Sequence, residues 1–164
     1  MTVMPTMEGG LRLEIENGFD WVMLEDISKD ALGDDGQKLA ERLGALMDEE
    51  SDWDEVVIPE LRAFFSEQLG VVTRAVTQAR KEAADGPEDE AGTGTLFIAR
   101  EEAESWYGAL NQARLGLETR FQFGPSDEME LDGVRAFSED KLRGFLRMRF
   151  YANLQGLLLD FAME

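Results

Sequence analysis

One run of the sequence places polar side chains where a buried helix is expected. It spans residues 98–121 and carries Trp106, Asn111, Arg114 and Arg120 among apolar residues at helical spacing. Arg114 falls at the edge of the apolar stripe, and Asn111 lies three residues earlier on the same side of the helix. Because buried polar groups must be paired, these side chains predict specific polar contacts around this helix.

Two interpretations of Asn111 and Arg114 follow from this pattern. In the first, Arg114 pairs with an acidic residue on a neighbouring helix and stabilises the packing, because an unpaired buried charge is costly. In the second, Asn111 and Arg114 line a groove that binds the carboxylate of a peptide or another ligand. The residue types alone are compatible with both interpretations.

The C-terminal segment concentrates basic residues in an otherwise acidic chain, namely Arg135, Lys141, Arg143, Arg147 and Arg149. Arg143 and Arg147 are i, i+4 neighbours, so together with Tyr151 they predict a basic and aromatic strip on one helix face. These few bases do not outweigh the net charge of −19, which disfavours a nucleic-acid site. The preferred interpretation is that they pair with the acids of residues 48–60 across the protein.

The residue types also exclude several kinds of chemistry. The chain has no cysteine and no histidine, which rules out disulfides, zinc–thiolate and iron–sulfur sites, serine–histidine–aspartate triads and histidine-ligated metals. Residues 30–41 have the length of a calcium loop, but Leu32 and Asp35 occupy positions that need a ligand and a glycine. We therefore expect no metal, no cofactor and no catalytic residue.

The strong negative charge bears on the kind of partner. Most of the acidic excess lies in residues 1–99, and this half could face a basic partner. Direct binding to nucleic acid or to an anionic membrane is disfavoured, because phosphate contacts come from Lys and Arg. The N-terminus has no secretory signal pattern, and no apolar run approaches the roughly 20 residues of a membrane helix, so a cytoplasmic location is expected.

Helical spacing of apolar residues predicts the core, which should come from residues 39–47, 61–79, 103–121 and 142–161. We expect a mainly α protein, a small four-helix-type bundle that folds as one domain over the whole chain. Polar, glycine-containing stretches near residues 85–95 and 124–133 predict mobile loops between these helices.

The last predicted helix begins after the N-cap Ser138 and continues to about Ala162. Its apolar residues cover more than one face. Such a helix lies in the centre of a bundle or is partly buried against another chain. A homodimer is therefore expected if the outer face of this helix stays apolar.

The N-terminal segment predicts a short β-hairpin. Apolar and charged residues alternate over residues 11–16, and Asn17-Gly18 is a strong type I′ turn signal. The return strand would then carry Phe19, Trp21 and Met23. The competing interpretation is a helix that starts at Asp20 and continues through Ile27.

Residues 98–123 also carry a recognisable motif. Glu-x-Ala-x-x-Trp, which ends at Trp106, is followed by Leu-Asn-x-x-Arg-Leu-x-Leu-x-x-Arg-Phe over residues 110–121. This pattern resembles the core of an uncharacterised bacterial family, the domain-of-unknown-function family number twenty-seventeen. Actinobacterial members typically end this region in Gly-Thr-Arg-Leu, from which Glu118 and Phe121 depart. The resemblance implies a mostly helical cytoplasmic protein.

Three functional hypotheses remain. The first is a non-enzymatic binding or regulatory protein that acts through contacts with another protein. Members of the similar family often lie beside the gene for the Clp-protease adaptor, so the resemblance implies an accessory role in regulated proteolysis. The second is an acidic decoy that binds a basic DNA-binding protein through the acids of residues 48–60 and 85–90. The third is an enzyme that uses carboxylates and Arg114.

Overall fold

The computed structural model describes residues 1–33, 57–86, 92–123 and 136–163. Within these ranges the chain forms strands β1 (Thr2–Pro5), β2 (Leu11–Ile15) and β3 (Gly94–Ile98), a 3₁₀ turn (Arg100–Glu102), and helices α1 (Gly18–Leu32), α2 (Ile58–Ala84), α3 (Ala103–Phe121) and α4 (Glu139–Phe161). The expected mainly α fold is confirmed.

Helix α3 occupies the centre of the fold, where α1, α2 and α4 all pack against it. Its small residues allow neighbouring backbones to come close. At Gly116 an added Cβ would lie 1.9 Å from the carbonyl oxygen of Asp30, so only glycine allows α1 to cross α3 there. Trp106 is completely buried on the same helix. The central position of α3 explains why its residues are apolar over such a wide arc.

The three strands form an antiparallel sheet in the order β1-β2-β3. In the register of β2 with β3, Leu13 lies opposite Leu96, and the inner faces of both strands belong to the same core cluster as the helices. Trp21 of α1 donates a hydrogen bond through Nε1 to the carbonyl oxygen of Gly92, at 3.1 Å. This bond ties α1 to the segment that leads into β3.

The predicted return strand at Phe19, Trp21 and Met23 is wrong, because this segment belongs to α1. The side chain of Asn17 caps the helix by accepting hydrogen bonds from the backbone N–H groups of Phe19 and Asp20, at 2.9 and 3.2 Å. The competing helix interpretation is the correct one, with the helix starting at Gly18. A hairpin does form, but its strands are β1 and β2.

Two of the predicted helices match the structure, whereas the predicted start of the central helix is too early in the chain. Helices α2 and α4 lie where the periodicity predicts them, and Ser138 caps α4 by accepting a hydrogen bond from Lys141 N at 3.3 Å. Ile98 belongs to β3 rather than to a helix, and Gly94 and Thr95, expected in a loop, also form part of this strand. The predicted helix at residues 39–47 and loop at 124–133 lie outside the described residues.

The core also draws on segments that the helical periodicity does not predict. Residues of β2, α1 and β3 join the expected contributions from α2, α3 and α4 in one cluster. Among the described helices, none is long and apolar enough to cross a membrane.

Candidate functional site

A buried ion pair joins the first and last helices. Arg147 of α4 donates two hydrogen bonds to the carboxylate of Asp30 in α1, at 2.6 Å from Nε and 3.0 Å from Nη2. The hydroxyl of Tyr151, one turn further along α4, donates to the same carboxylate at 2.8 Å. Asp26 adds a second, longer ion pair with Arg147 at 3.6 Å. The described partners of Arg147 thus lie in α1, whereas most of the acids predicted as its partners, at residues 48–60, lie outside the described residues.

The electrostatics of this cluster reflect its burial. Removal from water raises the pKa of Asp30, against the opposing hydrogen bond and charge of Arg147. Burial acts to lower the pKa of Arg147, but its hydrogen bonds to Asp30 together with the negative charges of Asp30 and Asp26 outweigh this effect and raise the pKa. Burial and the negative charge of Asp30 together raise the pKa of Tyr151 far above its ordinary value. Arg147 and Tyr151 therefore both stay protonated and hold the carboxylate.

A second buried network lies between α3 and α4. Arg114 donates a hydrogen bond through Nη1 to Oε1 of Gln155 at 2.6 Å, and Nε2 of Gln155 donates to the carbonyl oxygen of Tyr107 at 3.1 Å. The expectation of an acidic partner for Arg114 is wrong, because a glutamine amide occupies that place. Arg114 lies against α4, and Asn111 is solvent-exposed, so the two side chains do not share the predicted groove.

The other residues singled out in the sequence are dispersed. Trp106 fills the core, and its buried Nε1 has no hydrogen-bond partner among the described residues. Arg120 bonds to Asp140 at 2.9 Å and lies over the ring of Phe121. Arg143 bonds to Glu139 of its own helix at 2.5 Å and is exposed. These residues form no common site, and Arg143 and Arg147 make separate contacts instead of one basic strip.

Three of the buried polar residues do not stand out in the sequence. Gln112 of α3 donates a hydrogen bond to Oε1 of Gln68 in α2 at 2.9 Å, and Asp30 and Gln155 complete the networks described above. The position of Asp30, three residues after the apolar Ile27, is compatible with burial on α1 but does not single it out among the many acids of the chain. Glutamines at helical spacing carry no signal of burial either, because they are equally common on solvated faces.

The outer face of the sheet has a different character from these networks. Met4, Arg12 and Phe97 lie in one row across the three strands, and Phe97 is 61% exposed. The guanidinium of Arg12 lies 5.9 Å from the centroid of the Phe97 ring. Arg12 also pairs with Glu14, whose Oε2 accepts a hydrogen bond from Thr95 at 3.2 Å. The sheet thus presents an exposed aromatic ring beside a small charged row.

Two clefts adjoin Phe97. The larger, of about 590 Å³, lies between the β1–β2 turn and the 3₁₀ turn, and it is lined by Met7, Arg100 and Glu101 among others. The smaller, of about 260 Å³, lies between the C-terminal part of α2 and β3, and it includes Ala79 and Glu82. Phe97 lines both. Clefts of a few hundred Å³ are typical of binding sites for small groups or side chains.

Acidic residues outnumber basic ones around these clefts. The acidic lining residues are Glu8, Glu82, Glu101 and Glu102, whereas Arg100 is the basic residue of the larger cleft. Among the residues that the structure describes, no group of three or more acidic side chains is placed to hold a metal ion. The residues that line the two clefts therefore carry a net negative charge. We refer to Phe97, its two clefts and these acids as the Phe97 surface.

The fold is thus a mainly α domain built around a central helix, with a small antiparallel sheet beside it. The chain belongs to the family described as "Domain of unknown function (DUF2017)", whose model matches residues 24–162. The family resemblance predicted from residues 98–123 is confirmed and extends over most of the chain. The match includes β3, whereas β1 and β2 precede it. No curated protein and no solved structure matches this chain.

The Phe97 surface was not predicted from the sequence. Residues 95–98 are a short run of β-branched, aliphatic and aromatic residues, which is a typical strand signal. The glycine-rich stretch before them favours a loop. The helical motif after them favours a helix that begins too early, at Ile98, so the strand is missed. The acidic runs proposed for a decoy, residues 48–60 and 85–90, lie largely outside the described residues.

Proposed function

We propose that this protein is a non-enzymatic, cytoplasmic binding protein that recognises an extended, basic segment of another protein at the Phe97 surface. The observation that carries the proposal is the exposure of Phe97 between two clefts. Phe19 and Phe64 are exposed to a similar extent as Phe97, at 58%, 55% and 61%, but they line neither cleft. An exposed aromatic ring between two clefts can act as an apolar anchor in a binding interface.

The position of β3 favours an extended partner. Within the described residues β3 pairs with β2 alone. Because α2 packs against β3 near Gly94, an added strand would pair with the part of this edge that borders the cleft near Phe97. Alternate side chains of an added strand would point in the same direction as Phe97. The clefts on either side of this ring provide room for two such side chains.

Charge favours a basic partner. Glu8, Glu82, Glu101 and Glu102 surround the clefts, and the chain as a whole carries a net charge of −19. Both features attract a cationic segment and increase its association rate at low salt.

A binding role also agrees with the use of the buried polar groups. Asp30, Gln112 and Gln155 bond to neighbouring protein groups. None of them lines a cleft at the Phe97 surface, and Gln112 lines a separate small cleft between α1 and α2. Catalysis needs such groups beside a substrate. The gene neighbourhood implied by the family resemblance directs the search for partners toward components of regulated proteolysis.

Site-specific photo-crosslinking tests the proposal. A photoreactive phenylalanine analogue is placed at position 97 and, as a matched control, at position 64, where Phe64 is 55% exposed on α2. Crosslinking in lysate of the native host should yield a partner from position 97 and not from position 64. The crosslinked peptide of the partner should be basic. Among the crosslinked proteins, protease subunits and adaptors should be examined first. Equal yields at both positions, or none at position 97, would refute this assignment.

Synthetic peptides provide a second test of the proposed binding surface. A panel of unstructured peptides that alternate basic and apolar residues is titrated against the wild type, Phe97→Ala and Phe64→Ala. Binding should weaken about tenfold or more in Phe97→Ala alone, and it should weaken at high salt, because the acids around the clefts are screened. A charge-reversed panel should not bind. Preference for the acidic panel would overturn the proposed partner chemistry.

A further inference from the structure

Helix α4 carries a second apolar feature, whose outer residues are exposed and whose middle residues, Phe150 and Leu157, also pack against the core cluster. The stripe consists of Leu142, Leu146, Phe150, Leu157 and Phe161, which recur at helical spacing. Leu146 and Phe161 are each 46% exposed and Leu142 is 36% exposed, whereas Phe150 and Leu157 are half-buried. We call this set, together with Asn153 in its middle, the α4 stripe.

The described neighbours of α4 leave Leu142, Leu146 and Phe161 of this stripe exposed. Among the described elements, α3 is the one that packs along α4 over an extended length, and α1 reaches α4 through the ion pairs of Asp26 and Asp30 with Arg147. The groups that face these neighbours, such as Gly144, Met148 and Tyr151, lie on the opposite side of the helix from the stripe.

We propose that two copies of this chain associate through the α4 stripe, with the two helices antiparallel and the two-fold axis close to Asn153. The stripe residues, with Asn153 between Phe150 and Leu157, recur at intervals of four, four, three, four and four residues, which keeps them on one face of the helix. One polar residue within such an apolar face specifies the register of a helix pair. A two-fold axis beside Asn153 places Leu146 near Phe161 of the second copy, and Phe150 near Leu157 of the second copy. The surface is therefore self-complementary, as an isologous interface requires.

The flanking charges select the antiparallel orientation. Arg149 and Asp160 are exposed and lie on the same flank of the stripe. Residues on the same flank meet in an antiparallel pair, so Arg149 of each copy comes close to Asp160 of the other. In a parallel pair Arg149 would instead face the opposite flank of the second copy, and its contact with Asp160 would not form.

Analytical ultracentrifugation tests the association. At high protein concentration the wild type should sediment at twice the monomer mass of 18.4 kDa and dissociate on dilution. Leu146→Glu should weaken association about a hundredfold, because it places a charge in an apolar contact. The matched control is Leu159→Glu, since Leu159 is also 46% exposed but lies off the stripe. A wild type that is monomeric at every concentration, or equal effects of the two variants, would overturn the proposal.

Crosslinking tests the orientation. The chain has no native cysteine, so single introduced cysteines report only on their own positions. Leu146→Cys mixed with Phe161→Cys should form an intermolecular disulfide under mild oxidation, and Leu146→Cys alone should not. Efficient crosslinking of L146C with itself would refute the antiparallel arrangement, because these positions meet only in a parallel pair. Circular dichroism of each variant excludes misfolding as the cause.

Charge exchange provides an independent measurement of the same arrangement. Arg149→Glu and Asp160→Arg should each weaken the dimer severalfold, and the double variant should restore it, because the pair is re-formed with reversed signs. Absence of this restoration would exclude the proposed proximity of Arg149 to Asp160 of the second copy.

Discussion

The α1–α4 contact and the outer face of the sheet use charged residues in opposite ways. In the contact, the Arg147 side chain is 13% exposed and the Asp30 side chain is 4% exposed, and both bond within the protein. On the sheet, the Arg12 side chain is 46% exposed and pairs with a partly exposed Glu14 beside the open ring of Phe97. The first region stabilises and orients two helices, whereas the second can exchange its solvent contacts for those of a partner.

This difference shows why burial decides the meaning of a charged residue. A buried charge depends on its partner within the protein, because loss of that partner leaves the charge with neither water nor an opposite charge beside it. An exposed charge keeps its hydration and changes partners at little cost. Substitutions in the two regions should therefore differ in what they change: folding stability in the first and binding in the second.

The largest expected effect comes from breaking the buried pair. Arg147→Met removes both hydrogen bonds to Asp30 and should lower the free energy of unfolding by about 3–5 kcal/mol. Arg143→Met is the control, since Arg143 forms an exposed pair within its own helix and should cost about 0.5 kcal/mol or less. Urea denaturation measures both. A similar loss of unfolding free energy in the two variants would contradict the distinction between buried and exposed charge pairs.

The crossing of α1 over α3 provides the next test. Gly116→Ala places a methyl group against the backbone oxygen of Asp30 and should destabilise the protein by about 1–3 kcal/mol. Gly156→Ala in α4 meets nothing within 4 Å and should instead stabilise it by about 0.5–1 kcal/mol through helix propensity. Thermal unfolding of the two variants should therefore shift in opposite directions. A stabilising Gly116→Ala would disprove the close approach.

Alkaline pH should weaken the buried cluster through Tyr151. Its pKa is raised in the folded protein, so the unfolded chain loses this proton first, near pH 10. The contribution to stability is complete below about pH 10 and is lost as the pH rises beyond it, by about 1.4 kcal/mol per pH unit. Urea titrations of the wild type and Tyr151→Phe should show a steeper loss in the wild type. Equal slopes would exclude a raised pKa for Tyr151.

The smallest effect on stability is expected at the Phe97 surface. Phe97→Ala should change the free energy of unfolding by about 0.5 kcal/mol or less, because the ring is largely in solvent. Its neighbour Leu96 is 1% exposed, so Leu96→Ala should cost about 2–5 kcal/mol. Chemical denaturation compares the two. A large loss in Phe97→Ala would indicate that this ring supports the fold and is not a free contact surface.

The sequence predicted the long helices better than the short strands. Helices α2 and α4 carry apolar periodicity over many turns, and Ser138 supplies a local start signal, so their positions follow from local rules. The pairing of β2 with β3 joins segments about eighty residues apart, and no local pattern specifies such a pair. Asn17 suits both a hairpin turn and a helix N-cap, and the burial of Trp21 and Ile27 on α1 decides between them.

The candidate site was less predictable than the fold. Residue types identified Arg114 and Arg147 as side chains that need partners, but the acidic chain offers many carboxylates and the spacing did not single out Asp30. The exposure of Phe97 was equally hidden, because phenylalanine in a strand is more often buried. Both outcomes depend on which elements pack together.

The residues alone determined that this chain is acidic, lacks cysteine and histidine, is mainly helical, and carries the family motif around Trp106. These properties follow from composition and local periodicity, which need no knowledge of distant contacts. The tertiary structure decided that Arg147 lies over Asp30, that Arg114 meets Gln155, and that Phe97 stays exposed between two clefts. The reason is physical: partner choice and burial depend on neighbours far apart in the chain, and only folding brings them together.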